Sequence, residues 1–273
     1  MNYNDKKRNL IEIIERISEN DVVVAFSGGV DSSLLLKLFS EASKKSGNRV
    51  YAVTANTKIH PVKDIEIASC VAAEMGAEHR IVTIDELREA GIENNPVDRC
   101  YRCKKSIFNK IIQLANDEGI YTVAEGTNSD DLGMYRPGIR AIRELGIKSP
   151  LAEAGFTKEE VRKFAAEFGI SVSERPSTPC MATRFPYGVK LDYESIRKVE
   201  DGEIWLRENG FYNVRIRVHG NIARIEVDKR DMNLVIDKKD EITEYLKKLG
   251  YDYITLDLEG FRSGSMDIHI KDK

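Results

Sequence analysis

The sequence predicts an α/β protein: a parallel sheet covered by helices on both faces, followed by a smaller α+β domain. Three observations carry this expectation. Short apolar segments alternate with segments of helical periodicity as far as about residue 170, the order that builds a parallel sheet from strand–helix crossovers. The first apolar segment, Val22 to Phe26, passes through a Gly-Gly turn straight into a helix. A proline-bearing stretch, Arg175 to Gly188, then separates this region from a pair of alternating strands flanked by helices.

The elements follow in order. Leu10, Ile13, Ile14 and Ile17 repeat with helical spacing and give a first helix. Four apolar residues and Phe26 make Val22–Phe26 a buried strand, and Leu34, Leu35, Leu38 and Phe39 place a helix beyond the turn. Arg49–Ala55 reads as the second strand and Thr57–Pro61 as a loop, with Pro61 opening a helix that runs to Met75. His79–Ile84 is the third strand. A cysteine-containing loop, a helix from Lys104 to Asn116 and a fourth strand, Tyr121–Ala124, come next. Thr157-x-x-Glu160 is a capping box, continued by Val161, Phe164, Ala165 and Phe168. A domain boundary is expected near residue 190, giving domains 1–189 and 190–273. Beyond it the expectation is a helix over Asp192–Asn209 and strands Val214–Val218 and Ala223–Val227, joined by a His219-Gly220-Asn221 turn. A helix over Asp240–Leu249 and further strands complete the chain.

Composition narrows the function. The 273 residues are 41% hydrophobic and 32% charged, enough to bury a substantial core. A net charge of −3, from 42 basic against 45 acidic residues, argues against a dedicated nucleic-acid binder but leaves room for a small basic pocket. No apolar run approaches the roughly 20 residues that cross a membrane, and the polar stretch Met1–Arg8 has no signal-peptide core behind it. A cytosolic location follows as the expectation. In that compartment the four cysteines are metal ligands or reactive thiols before they are disulfides.

Several clusters carry chemistry. Gly28 and Gly29 let the backbone turn sharply, and the amides of the turn and of the following helix suit a phosphate. The turn has neither the lysine of a Walker A loop nor the G-x-G-x-x-G of a dinucleotide fold. The fourth strand ends in Glu125-Gly126-Thr127-Asn128-Ser129-Asp130-Asp131, at the sheet edge where ligands gather. There Gly126 and Thr127 can contact a nucleotide and Asp130 and Asp131 can hold Mg²⁺, or the acidic residues simply cap a helix. Cys100-Tyr101-Arg102-Cys103 lies in a loop, Cys180 in the proline-bearing stretch, and Cys70 reads as a small buried hydrophobe. A C-x-x-C pair suits a zinc site completed by His60 or His79, a redox pair, or iron–sulfur ligation; three thiolates fit a [4Fe–4S] cluster with one iron free of protein ligands. Arg215 and Arg217 alternate onto one strand face, either as a clamp for phosphate or carboxylate or as a solvated face paired with Glu226.

The run Ser27-Gly28-Gly29-Val30-Asp31-Ser32 resembles the SGGxDS motif of the PP-loop ATP pyrophosphatases, whose fold is adenine nucleotide alpha hydrolase-like. Taken with Pro96–Lys104, Glu125–Asn128, Cys180–Gly188 and the Arg215/Arg217 strand, the chain resembles the LarE family over nearly its whole length. LarE proteins are ATP-dependent sulfur transferases. They convert carboxylates of pyridinium-3,5-dicarboxylate mononucleotide into thiocarboxylates for the nickel-pincer cofactor of lactate racemase. One variant sacrifices the sulfur of a single cysteine, matching Cys180; another carries three cysteines and a [4Fe–4S] cluster, and this sequence matches that one. The resemblance implies that Ser27, Gly28, Gly29, Asp31, Ser32, Ser33, Gly126 and Thr127 bind ATP, and that Asp31, with Asp131, organises Mg²⁺. It implies Cys100, Cys103 and Cys180 as cluster ligands, with Cys180 and Asp31 catalytic. Arg184, Arg215 and Arg217 would hold the substrate's phosphate or second carboxylate, with Glu203 beside them. It further implies a sulfide donor and a homo-oligomer, while the charge balance and the lack of a long apolar run predict neither nucleic acid nor membrane as partner. The competing expectations are a tRNA thiolase of the same superfamily, an ammonia-using ligase, and a non-catalytic iron–sulfur or ATP-binding module.

Overall fold

A computed structural model describes residues 1–61, 63–133, 137–175, 179–262 and 264–266 of the chain. The chain parts into two compact units, residues 1–91 with 98–178 and residues 92–97 with 179–273. The first unit contains α1 (Tyr3–Ile17), β1 (Val22–Ala25), α2 (Val30–Ser46), β2 (Val50–Thr57), α3 (Lys63–Glu74), β3 (Glu78–Ile84) and α4 (Glu86–Glu89). It continues with α5 (Arg99–Asp117), β4 (Thr122–Ala124), α6 (Ser129–Leu132), α7 (Pro137–Glu144), α8 (Pro150–Glu153) and α9 (Lys158–Glu167).

Its four strands form a parallel sheet in the order β3-β2-β1-β4. β1 is interior, with Val22 opposite both Val50 and Thr122. Alternation along β1 explains its unbroken apolar run. Val22 and Val24 pack with Leu10 and Ile14 of α1, Leu35 and Phe39 of α2 and Phe164 of α9. Val23 faces the opposite side, with Phe108 and Ile111 of α5 and Ile142 of α7. Both faces are therefore helix-covered, as the strand–helix order requires, and the carboxyl end of β1 feeds the Gly-Gly turn at the sheet edge.

Three expectations change here. β2 continues through Thr57, because its pairing with β3 extends to Thr57 opposite Ile84. α5 begins at Arg99 and not at Lys104: the Arg102 N–H donates to the Asp98 carbonyl at 3.1 Å, and the Arg102 guanidinium closes onto the Asp98 carboxylate at 2.8 Å. Cys100 and Cys103 consequently sit on a helical turn and not in a loop. Cys70 is exposed, since the face of α3 that packs inward is Ala68, Val71 and Ala72 at helical spacing.

The second unit contains a 3₁₀ turn (Met181–Arg184), α10 (Tyr193–Glu208), β5 (Val214–His219), β6 (Ile222–Val227), α11 (Met232–Asp237), α12 (Lys239–Lys248) and β7 (Tyr253–Leu256). The sheet order is β5-β6-β7, antiparallel for the hairpin and parallel between β6 and β7, because α11 and α12 carry the chain across between those strands. Among the described residues β7 is the one strand after α12. The units divide earlier than the boundary expected near 190. The Leu191 N–H donates to the Glu93 carbonyl at 2.6 Å, and the Asn95 amide donates to the Phe185 and Pro186 carbonyls at 3.2 and 2.7 Å. These bonds gather residues 92–97 and 179–191 into one unit. Pro176, Ser177 and Thr178 of the proline-bearing stretch lie outside the described residues. Among the described residues no helix is long and apolar enough to cross a membrane.

Candidate active site

The turn after β1 is shaped for close approach. Gly28 has φ +67°, and a Cβ there would lie 2.8 Å from Ala68 Cα, so the position tolerates only glycine. Ser32 ties the turn together: its hydroxyl accepts from the Ser27 N–H at 3.2 Å and donates to the Gly29 carbonyl at 3.1 Å. Gly29 is the N-cap of α2 and supplies no side chain to cap it. Among the described residues the first-turn amides of α2 therefore have no side-chain cap, the arrangement that receives a phosphate. Ser33 is fully buried, and its hydroxyl has no hydrogen-bond partner among the described residues. Arg175 braces the turn from outside, donating to the Gly28 carbonyl at 3.3 Å and pairing with Asp64 at 2.5 Å.

The β4 edge closes over this turn. A Cβ on Gly126 would stand 3.0 Å from both Asp31 Cβ and the Ser32 nitrogen, which fixes glycine there. Buried Glu125 accepts from the Thr127 N–H at 3.0 Å, the Thr127 hydroxyl at 2.9 Å and the Ser149 hydroxyl at 2.6 Å. The Thr127 hydroxyl thus shapes the loop. Asn128 and Asp131 form a capping box on α6, with the Asn128 N–H donating to Asp131 Oδ2 at 3.2 Å. The capping reading therefore accounts for Asp131. Asp31 is held by the Asn128 amide at 3.0 Å and by the Lys158 ammonium. Among the described residues no group of three or more His, Cys, Asp or Glu side chains gathers to hold a metal ion. One carboxylate, Asp31, suits Mg²⁺, which commonly takes one or two carboxylates and completes its shell from substrate phosphates and water.

Cys100 and Cys103 lie three residues apart on the first turn of α5, the first exposed and the second half-buried, and neither is in a disulfide. Tyr101 between them donates to Glu144 of α7 at 2.6 Å, and Lys105 and Arg140 join the same carboxylate at 3.0 and 2.7 Å. Those hydrogen bonds hold the Glu144 carboxyl down at about 2. Thiol donors of this kind suit soft metals and iron–sulfur clusters. His60 and His79 are occupied by the hydroxyls of Thr57 and Thr54, at 2.7 and 2.8 Å, and burial lowers the pKa of both rings.

In the second unit Cys180 opens the 3₁₀ turn, and its carbonyl accepts from the Thr183 hydroxyl at 2.8 Å. Arg184 and Glu203 are both enclosed. Arg184 Nε and Nη2 donate to the two Glu203 oxygens at 2.8 and 2.9 Å, and Nη1 reaches the Pro179 and Cys180 carbonyls at 3.3 and 3.4 Å. Arg217 is equally committed, to Glu226 at 2.9 Å and the Thr183 carbonyl at 3.0 Å. Arg215 stands opposite Glu226 in the hairpin register, but that carboxylate turns diagonally to Arg217 and to the Ser265 hydroxyl. Among the described residues no ion pair engages Arg215, which donates to the Val214 carbonyl at 2.7 Å and lies over the Phe261 ring. Burial, then the charge of Arg184, pulls its pKa down to about 10, a guanidinium short of negative charge. Of the three arginines expected to grip substrate, two are internally satisfied and Arg215 is the one able to accept an anion.

Sequence reasoning missed Lys158, Arg175 and the Asn128–Asp31 bond. Lys158 is hidden inside a capping-box motif, and only the fold brings α9 to the phosphate turn.

The PP-loop domain family matches residues 2–132. The chain is 36% identical, over 96% of its length and 94% of the relative, to the pyridinium-3,5-bisthiocarboxylic acid mononucleotide synthase of Lactiplantibacillus plantarum. It is 36% identical to an uncharacterised Synechocystis protein, over 90% of this chain and 91% of that one. A tRNA-specific 2-thiouridylase of Rickettsia massiliae is 25% identical over 78% of this chain and 67% of its own.

Proposed function

Because the chain belongs to the family of the pyridinium-3,5-bisthiocarboxylic acid mononucleotide synthase, LarE, we propose that it adenylates a carboxylate of pyridinium-3,5-dicarboxylate mononucleotide and replaces the AMP with sulfur. The observation that supports this most is the uncapped first turn of α2 behind a Gly28 that admits no side chain, with Asp31 beside it. That turn would retain pyrophosphate. A free carboxylate is a poor electrophile because its leaving group would be oxide. Attack of one carboxylate oxygen on the α-phosphorus of ATP forms the acyl–AMP bond and breaks the bond to pyrophosphate. Asp31 would hold the Mg²⁺ that neutralises the phosphate charge. A sulfur nucleophile then bonds to the carbonyl carbon, the C–O bond breaks, and AMP departs.

Arg215 would take the substrate's phosphate or second carboxylate, since an anion there relieves its shortage of negative charge. Arg184 and Glu203 would act at one remove, pinning the backbone around Cys180. Cys100, Cys103 and Cys180 would hold a [4Fe–4S] cluster, which when bound would supply the sulfur nucleophile. The product would serve a nickel-pincer cofactor such as that of lactate racemase.

The test is anaerobic incubation of purified enzyme with ATP, Mg²⁺, sulfide and the mononucleotide. Pyrophosphate release should depend on the mononucleotide and not respond to bulk tRNA. Asp31→Ala should abolish that release, whereas Cys100→Ala should keep it and lose thiocarboxylate formation. Full multiple-turnover sulfur transfer by Cys100→Ala would exclude the cluster, and pyrophosphate release driven by tRNA would move the enzyme to the thiouridylase class.

A further inference from the structure

Lys158 sits at the first position of α9, and its backbone N–H donates to Asp130 Oδ2 at 2.8 Å. A cation at a helix N-terminus opposes the helix dipole, so helix stability does not account for a lysine there. Its side chain instead crosses to α2 and pairs with Asp31, while the Asn128 amide takes the other Asp31 oxygen at 3.0 Å. The Lys158 side chain is about one third exposed and that of Asp31 one fifth, so the pair lies near the surface and not in the core. Gly126 lies close behind Asp31, where an added Cβ would stand 3.0 Å from the Asp31 Cβ, and the Asn128 amide steadies the carboxylate, so the longer lysine side chain is the partner free to move. A long flexible ammonium is suited to changing partners, because it is a point charge without a fixed bidentate geometry.

We propose that Lys158 is the counter-ion of Asp31 in the nucleotide-free enzyme and transfers to the triphosphate when Mg–ATP binds, Mg²⁺ replacing it on the carboxylate. No covalent bond changes; the exchange swaps one cation for another on Asp31 and moves the displaced one onto phosphate oxygen. The proposal rests on ATP binding at the Ser27–Ser33 turn. It makes Lys158 and Asp31 thermodynamically coupled toward ATP: with Asp31 intact, the lysine must leave a good partner to reach phosphate.

The experiment is a double-mutant cycle on ATP binding without acceptor substrate, by titration calorimetry, with Mg²⁺ and with EDTA. In EDTA, Asp31→Asn should bind ATP about tenfold or more tightly than the parent enzyme, the scale of one charge-assisted hydrogen bond to phosphate. Lys158→Gln in the Asp31→Asn background should erase that gain, and Lys158→Arg should keep most of it. Melting temperatures of the four proteins separate this from misfolding. An Asp31→Asn gain that survives Lys158→Gln overturns the handover, as does a Lys158→Gln effect confined to thermal stability. Failure of the parent enzyme to bind Mg–ATP overturns the ATP reading as well.

Discussion

Arg184→Met tests whether the buried pair in the second unit holds the Cys180 segment. Arg184 and Glu203 side chains are each 2% exposed. Without the guanidinium, Glu203 keeps the Ile216 N–H at 3.1 Å and a distant Arg207 at 3.5 Å. Leaving one partner of a buried pair uncompensated costs about 3–5 kcal/mol. At about 4 °C or more per kcal/mol for a domain near 100 residues, the second unit should melt at least about 10 °C earlier. Trp205, the chain's one tryptophan, stacks on Tyr245 at 4.6 Å and reports the unfolding of this unit by fluorescence in urea. The double variant Arg184→Met/Glu203→Leu should recover more than half of the loss, because no buried charge then stands alone. The pH dependence has a definite sign. Burial pushes Glu203 up, but the hydrogen bonds and charge of Arg184 outweigh it and hold the folded carboxyl below its ordinary 4.5. Its stabilisation is therefore present above pH 4.5 and fades as the pH falls through the folded value, a component the double variant lacks. An unchanged urea midpoint in Arg184→Met, or a double variant as unstable as the sum of the singles, would refute the argument.

Other perturbations separate binding from scaffolding. Arg215→Gln should raise KM for the mononucleotide about tenfold or more with little loss of stability, from one charge-assisted contact; steady-state kinetics and a urea curve read both. Arg217→Gln should do the reverse first, lowering the unfolding free energy from urea curves by about 3 kcal/mol because Glu226 is fully buried. Gly126→Val should cost ATP affinity by displacing Asp31 and the Ser32 amide, an overpacking of about 1–3 kcal/mol read by ATP titration. Gly28→Ala should lose about 1–2 kcal/mol from the left-handed backbone alone, and more from contact with Ala68, visible as a lower melting temperature.

The sheet and its phosphate turn were legible because they rest on local signals. The Val22–Val24 run, the glycines and the Leu34–Phe39 spacing each point to the same strand–turn–helix. The start of α5 was not, since Cys100-Tyr101-Arg102-Cys103 shows no apolar periodicity and its helix is secured by Asp98 and by α7. Cys70 was misplaced because composition, and not the phase of Ala68, Val71 and Ala72, decided its reading. The roles of Arg184, Glu203 and Lys158 depend on partners far along the chain. A strand pattern locates Arg215 and Arg217 on one face; only the diagonal choice of Glu226 tells which of them is already neutralised.

The most direct measurement counts products against protein. Over several turnovers with ATP, Mg²⁺, sulfide and the mononucleotide, AMP, pyrophosphate and thiocarboxylate should appear in equal amounts while the intact mass of the protein stays constant. A protein lighter by H₂S after a single turnover would show that Cys180 itself is consumed. Thiocarboxylate formed without AMP would contradict adenylation altogether.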